Sequence, residues 1–417
     1  MSRYLIYTAP GTGHLYPLIP TMLELRRRGH DVTVHTEQDS IGTVQKLGFQ
    51  ATPINPAIEA RADDTWRART PIGAMQRSVR MYVDRAAHEV TDIRQAIAAD
   101  RPDVILVDNN CWGAAAAAQA AGIPWAQAAT FLLPLVSKDA PPFGLGLRPA
   151  RTMVGRARDA VLRTTALPLF DRLLPPVNRM RRQLGVPTVR HVPDLYMLAP
   201  LVLSYTAEPL EYPRPTLPPT VRMVGPGVWD PAENEAEPAW LAALQRPLIL
   251  VTISTVFQDD ARLINTALQA LADEPYDVVV TTASLNPAEF DAPPNAHLHR
   301  FVPHSLVIRR AAAVVCHGGM GITQKALLAG VPVCVVPFGR DQLEVARRVV
   351  ESGAGSTLPA GRLTPTALRK AVREVLQKQS AAGAVAAQLR RAGGADAAAA
   401  ALEELAASRS ASRTNKL

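Results

Sequence analysis

Three cysteines in 417 residues, Cys111, Cys316 and Cys334, are too few and too scattered for a disulfide framework, and they match no metal-ligand spacing. No Asp-x-Asp triplet occurs, and the adjacent pairs Asp63-Asp64 and Asp259-Asp260 lack that spacing. A divalent cation held by such a motif is therefore not expected. No apolar run approaches the roughly 20 residues of a membrane span. The N-terminal MSRYLIYTAPGTGH passes straight into a strand and a glycine turn, unlike a secretory leader. Aromatic residues make up only 5% of the chain, so the stacking platforms of a single-strand nucleic-acid binder are missing. These absences favour a cytoplasmic protein with no stable membrane insertion, no metal and no nucleic-acid partner. The net charge of +8 comes from scattered arginines, with runs only at Arg26-Arg27-Arg28 and Arg181-Arg182. It reads as a solvated basic surface before it reads as attraction to a membrane.

What is present is a doubled α/β pattern. The chain is longer than one ordinary core supports, so two domains are expected. Tyr4 to Thr8 is an apolar strand, followed by the turn 9–14. Leu15, Leu18, Ile19, Met22 and Leu25 mark one face of a helix, and Val32 to His35 is a second strand. This βαβ opening implies a parallel sheet. Residues 72–99 read as a long helix, Val104 to Val107 as a buried strand ending in Asp108, and Pro124 to Thr130 as another strand after an alanine-rich helix. Proline density rises from Pro187 to Pro238, closed by Glu233, Glu235 and Glu237. The first domain is assigned to 1–226 and the interdomain linker to 227–242. The second domain, 243–395, restarts the pattern with strands at Leu248 to Ile253, Val278 to Thr281 and Leu298 to Val302. Helices are expected at 259–272, 341–352, 365–378, 381–392 and 396–407, and disorder at 408–417.

The most informative stretch is HGGMGITQKALLAGVPVCVVPFGRDQ, residues 317–342. A buried strand ends at Cys316, and Gly318, Gly319 and Gly321 remove side chains where a helix begins around Met320 and Ile322. Helix starts carry unpaired N–H groups and roughly half a positive charge, so an anion can sit directly on the backbone. His317 would point at the same anion. The residues thus suggest a diphosphate site. In the first half, His14 sits on the glycine-flanked turn after the first strand, at the rim where open α/β sheets bind ligands. Its pKa range suits a general base. Asp108, behind an apolar run, is placed to orient that imidazole, or else to cap the helix after Asn110. Asp103 lies at the wrong rim.

The 317–342 stretch is similar to the donor-binding signature of the metal-independent, inverting nucleotide-sugar glycosyltransferases, among them the antibiotic- and macrolide-modifying enzymes of actinomycetes. The loop GTGHLYPLIP, residues 11–20, resembles their catalytic loop. The resemblance implies the GT-B fold: α/β, two Rossmann-like parallel-sheet domains facing across a cleft, with a C-terminal helix crossing back to the first domain. It implies His14 as base with Asp108 as its partner. Ser254, Thr255, His317, Gly318, Gly319, Met320, Gly321 and Ile322 would receive the donor diphosphate. The base would lie at Phe301 and Val302, and the sugar hydroxyls at Asp341 and Gln342. Two competing readings stay open: Ser254 and Thr255 as plain loop residues, and Asp341-Gln342 as a helix cap.

One departure concerns Lys325. Many relatives carry a ribose-binding glutamate there, and a lysine cannot accept hydrogen bonds. A thymidine diphosphate sugar, lacking the 2′-hydroxyl, is favoured over a uridine one, with both retained. The partners implied are a dTDP- or UDP-sugar and a hydrophobic small-molecule acceptor, with no separate cofactor, in a monomer or homodimer. Trp66, Met75, Tyr82, Phe131 and Phe143 are candidates for the acceptor pocket, as well as for the core.

Three other functions compete. A nicotinamide oxidoreductase would use Gly11-x-Gly13 with Glu37 as ribose carboxylate, but Tyr16 replaces the third glycine of that fingerprint. A nucleotide-sugar epimerase shares the architecture. A non-catalytic nucleotide-binding protein would not need His14 and Asp108 together.

Overall fold

The structure is a computed structural model. It describes residues 1–61, 64–68, 70–231, 235–255 and 260–414, with side chains as far as 408. Asp63, Glu233, Asp259 and the end of the tail expected to be disordered, 415–417, lie outside the described residues.

Two parallel sheets carry the chain. The first contains β1 (Arg3–Tyr7), β2 (Asp31–Thr36), β3 (Gln50–Pro53), β4 (Val104–Asp108), β5 (Trp125–Ala129), β6 (Leu201–Ser204) and β7 (Val221–Met223), in the order β3-β2-β1-β4-β5-β6-β7. The second contains β8 (Leu248–Thr252), β9 (Asp277–Thr281), β10 (Ala296–His299), β11 (Ala311–Cys316), β12 (Val333–Val335) and β13 (Gly355–Thr357), in the order β10-β9-β8-β11-β12-β13. The two sheets repeat one winding. Each starts at its centre, runs out to one edge, and returns to the centre before running to the other. The reversals fall between β1 and β4 and between β8 and β11, and at such points a crevice opens beyond the strand ends. Strands β4, β8 and β9 are buried along their whole length, as apolar strands covered by helices on both faces should be.

Several elements differ from the sequence reading. The proline-rich stretch holds two strands not placed from the sequence, β6 and β7. These strands are only four and three residues long, too short for an alternating or apolar pattern to stand out between prolines. Strand β10 stops at His299 instead of Val302. Its partner β9 ends at Thr281, the Thr282 N–H takes the His299 carbonyl, and the chain then turns through Pro303. The last helix runs from Gly394 to Thr414, so the backbone is helical through much of the tail read as disordered. Each residue there is added to a helix already formed, which costs far less than nucleating one.

The halves share a seam. Ala398, Ala399, Ala401 and Leu402 of the last helix bury against Tyr4, Leu18 and Met22. Glu403 pairs with Arg28 at 2.6 Å and His30 at 2.8 Å. Leu132, Ala207 and Leu210 of the first half belong to the core of the second. At Gly227 the carbonyl of Pro17 passes 1.9 Å from where a Cβ would stand, so only glycine fits. Among the described residues no helix is long and apolar enough to cross a membrane.

Candidate active site

The rims at the two sheet reversals line one cavity of about 750 Å³. On the first rim, β1 and β4 are neighbours, with Tyr7 opposite Val107. The turn after β1 carries His14, and Asp108 closes β4. Their side chains meet: His14 Nδ1 lies 2.9 Å from Asp108 Oδ2. Asp108 is fully buried, while His14 is 26% exposed and lines the cavity, so Nε2 is the nitrogen left for a ligand. Its Oδ1 accepts the Asn110 N–H at 2.8 Å, which closes the turn ahead of the helix Trp112–Ala120, whose N-cap Cys111 has no side-chain cap bond. Of the two placements considered for Asp108, the structure shows the contact with the imidazole and not a cap on the helix. Burial disfavours the charged imidazole, but the Asp108 charge and hydrogen bond outweigh it and hold the His14 pKa above its ordinary value. Asp103 accepts the Arg3 N–H at the opposite end of the strands.

The first glycine turn offers little to a pyrophosphate. The Gly11 N–H donates to Glu37 Oε2 at 2.7 Å, and Ser40 Oγ donates to Oε1 at 2.9 Å. The carboxylate considered as a ribose contact for a nicotinamide cofactor instead ties down its own turn. The helix that follows is four residues long.

The second rim is built differently. Gly318 has φ +94°, and a Cβ there would come within 2.7 Å of Val335 Cγ1. A Cβ on Gly319 would come within 2.5 Å of His317 Nε2, whereas one on Gly321 would meet nothing. The first two glycines are thus required by the protein's own packing, and the third keeps open the space of the cavity. The helix Met320–Leu328 has no side-chain cap and no acid in its first turn. Thr323 is the first residue whose N–H finds a carbonyl behind it, that of Gly319, so the Met320, Gly321 and Ile322 amides remain for a ligand. These three residues, Gly319 and His317 line the cavity; Gly318 sits behind. His317 is buried, and burial first, then Arg340 and His304, pull its pKa down to about 4. It is a neutral imidazole. Ser254 and Thr255 follow β8 and line the same wall, and the Ser254 N–H is held by Asp260 Oδ2 at 2.8 Å.

The other expected contacts are spread around the cavity. Asp341 precedes the helix Gln342–Glu351, yet its side chain makes no capping bond. Burial raises its pKa, and it lines the same cavity as His14. Gln342 Oε1 accepts the Phe338 and Gly339 N–H groups at 2.7 and 3.0 Å, which makes that oxygen a clamp on the turn. Phe301 is exposed at the cavity edge, whereas the Val302 side chain is buried in the second core and does not line the cavity. Lys325 Nζ donates to Asp230 Oδ2 at 2.9 Å. Of the acceptor candidates, Met75, Tyr82, Phe131 and Phe143 line the cavity. Trp66 does not: it is 43% exposed and lies under Arg67.

Comparison with known proteins places this geometry. Residues 265–405 match the erythromycin biosynthesis protein CIII-like C-terminal domain, and residues 21–193 a glycosyl transferase 4-like domain. The chain is 34% identical over 400 residues to 4′-demethylrebeccamycin synthase of Lentzea aerocolonigenes, covering 90% of this chain and 92% of that protein. The chain belongs to the UDP-glycosyltransferase-like GT-B family of natural-product glycosyltransferases. A PGL/p-HBAD biosynthesis glycosyltransferase of Mycobacterium tuberculosis (strain ATCC 25177 / H37Ra) is 30% identical over 309 residues, 70% of this chain and 69% of that one. The crystal structure of the kitacinnamycin glycotransferase superimposes with a TM-score of 0.73 at 24% identity, covering 97% and 98% of the two chains. A spinosyn rhamnosyltransferase complexed with thymidine diphosphate gives 0.69 at 20% identity, covering 97% and 100%. At those identities the likeness shows the GT-B fold.

In this glycosyltransferase the cavity also has walls that the sequence did not announce. Arg163, Leu167, Phe170 and Tyr196 line it, from segments in which the sequence singles out no site. Asp230 lines it from the stretch ahead of β8, and His304 from behind β10. Asp230 carries no local motif, whereas His304 closes the stretch 300–304 that resembles the family's base-holding segment.

Proposed function

We propose that this glycosyltransferase is an inverting enzyme that moves a hexose or deoxyhexose from a dTDP- or UDP-sugar to a hydroxyl of a hydrophobic natural product. One observation carries the reading. A carboxylate-held imidazole on one rim faces, across a single cavity, an uncapped helix start with a neutral imidazole on the other. His14 Nε2 takes the acceptor hydroxyl proton as the oxygen bonds to the anomeric carbon. The bond from that carbon to the diphosphate breaks on the opposite face, and inversion follows. Asp108 fixes the tautomer and balances the imidazolium.

Charge that develops on the departing diphosphate is received by the amides of Met320, Gly321 and Ile322, with His317, Ser254 and Thr255 beside them. Asp341 and Gln342 take the sugar hydroxyls, Phe301 and the Val302 backbone take the base, and Lys325 with Asp230 borders the ribose. These groups need no metal to perform the step. Four apolar residues, Met75, Tyr82, Phe131 and Phe143, favour an apolar acceptor. The relative at 34% identity, 4′-demethylrebeccamycin synthase, supports by its name an acceptor of natural-product type. Three buried cysteines without disulfides fit the cytoplasm.

The test is His14→Ala assayed for transfer to a hydroxyl acceptor. Loss of a general base lowers turnover about 10²- to 10⁴-fold with nucleotide affinity kept. Full turnover in that variant would sink the assignment.

A further inference from the structure

We infer that residues 143–146 form a strap that couples donor binding on the second half to the acceptor wall, with Glu344 as its positioning residue. The inference rests on the proposed placement of donor and acceptor. Glu344 is buried in the first turn of the helix Gln342–Glu351, three positions after Asp341. Its Oε1 accepts the N–H groups of both Gly144 and Gly146, at 2.7 and 2.8 Å. The Gly146 carbonyl in turn accepts Arg347 Nε at 2.9 Å. The other oxygen, Oε2, takes Arg348 Nη1 at 2.7 Å. That buried guanidinium is bonded to Glu211 Oε1 at 3.0 Å and lies 4.2 Å over the Tyr212 ring. The carboxylate is therefore held from behind by Arg348 of its own helix, itself braced by Glu211 and Tyr212 of the first half, and grips a first-half loop in front. It is a buried, fully partnered bridge across the domain seam, and such hydrogen bonds to charged groups are the strong ones.

The strap is also sterically defined. Gly144, at φ +105°, has Met75 Sδ 2.1 Å from where a Cβ would stand. Gly146, at φ +58°, has the Leu343 carbonyl oxygen 2.5 Å away. The segment is thus pressed between a side chain of the acceptor wall and the backbone of the helix that begins at the sugar-facing turn. Phe143, just ahead of it, lines the cavity and packs against the core of the second half. When the helix start shifts, the two amide bonds carry Gly144 and Gly146 with it, and Phe143 and Met75 follow. The acceptor wall therefore takes its final shape only when the donor end of this helix is in place. By thermodynamic reciprocity, an undocked strap weakens donor binding by the same factor.

The experiment uses the full chain, with UDP and dTDP as probes and no acceptor. Amide hydrogen exchange is followed in wild type, Glu344→Ala and Gly146→Ala. In wild type, the nucleotide that binds is expected to slow exchange at 143–146 about tenfold or more, although it touches only the second half. In both variants that protection disappears, and nucleotide Kd rises about five- to tenfold. Glu344→Ala leaves Arg348 short of a partner and risks the fold. Gly146→Ala lies in the loop and removes the docked geometry alone. Wild-type nucleotide binding that leaves exchange at 143–146 unchanged overturns the inference, as does protection persisting in Gly146→Ala with an unaltered Kd. Failure of the functional reading looks different: neither nucleotide binds wild type, or protection appears at the Gly11 turn instead of 317–322.

Discussion

Asp108→Asn replaces one oxygen by an amide nitrogen and should silence the base without disturbing the cleft. The buried carboxylate serves two neighbours, His14 Nδ1 through Oδ2 and the Asn110 N–H through Oδ1. The backbone N–H can only donate, so the asparagine oxygen must turn towards Asn110. The NH₂ group then faces His14 Nδ1, which has to become an acceptor. The imidazole proton moves to Nε2, and the nitrogen on the cavity side can no longer take a proton. The variant keeps shape, volume and the turn bond to Asn110 while inverting the tautomer. A general base contributes about 10²- to 10⁴-fold, so kcat should fall by that factor. Donor affinity, set on the other rim, should hold within about twofold. The assay is steady-state nucleotide release with a hydroxyl acceptor, with UDP and dTDP binding measured by calorimetry. Turnover within tenfold of wild type would refute the reasoning, because it would mean that the Asp108 contact does not govern the proton on His14.

Further outcomes follow from the same geometry. The rate should fall as pH drops through the His14 pKa, and because Asp108 holds that pKa above the ordinary value of about 6.5, the acid limb should sit above the one expected for a free imidazole. The linked stability has a definite sign: protonated His14 stabilises the fold below its unfolded pKa, and this contribution is lost as pH rises through the raised folded value, as a pH series of unfolding midpoints can check. Gly321→Val should leave the unfolding midpoint nearly unchanged, since a Cβ there meets no atom of the protein, while weakening UDP or dTDP binding about tenfold or more in a titration; unchanged affinity would move the phosphates elsewhere. Activity should survive a chelator such as EDTA, and its abolition, restored by a divalent cation, would contradict a mechanism resting on amides and imidazoles.

The parts of the site that could be read from sequence are those fixed by local chain geometry. The strand–glycine–helix passage at 311–328 announces its own bare amides, and the reversal of each sheet follows from βαβ winding. The neighbouring positions of β1 and β4 then bring His14 to Asp108. Contacts between residues distant in the chain left no such trace. Glu344 looks like an ordinary first-turn acid until its partners, Gly144 and Gly146, are seen about 200 residues away. Lys325 showed what it could not do, but not that Asp230, from the stretch ahead of β8, meets it. Strands β6 and β7 are too short to show a pattern, and prolines around them read as loop. Trp66 shows the limit of composition: an aromatic side chain does not say which surface it will cover, and this one covers none of the cavity.

The position of the diphosphate is the most direct test. In a crystal structure of the protein with UDP or dTDP bound, the β-phosphate should lie within hydrogen-bond distance of the amides of 320–322 and of the His317 ring, with His14 facing it across an open acceptor space. A diphosphate seated on the Gly11 turn, with the 317–322 turn empty, would contradict the account.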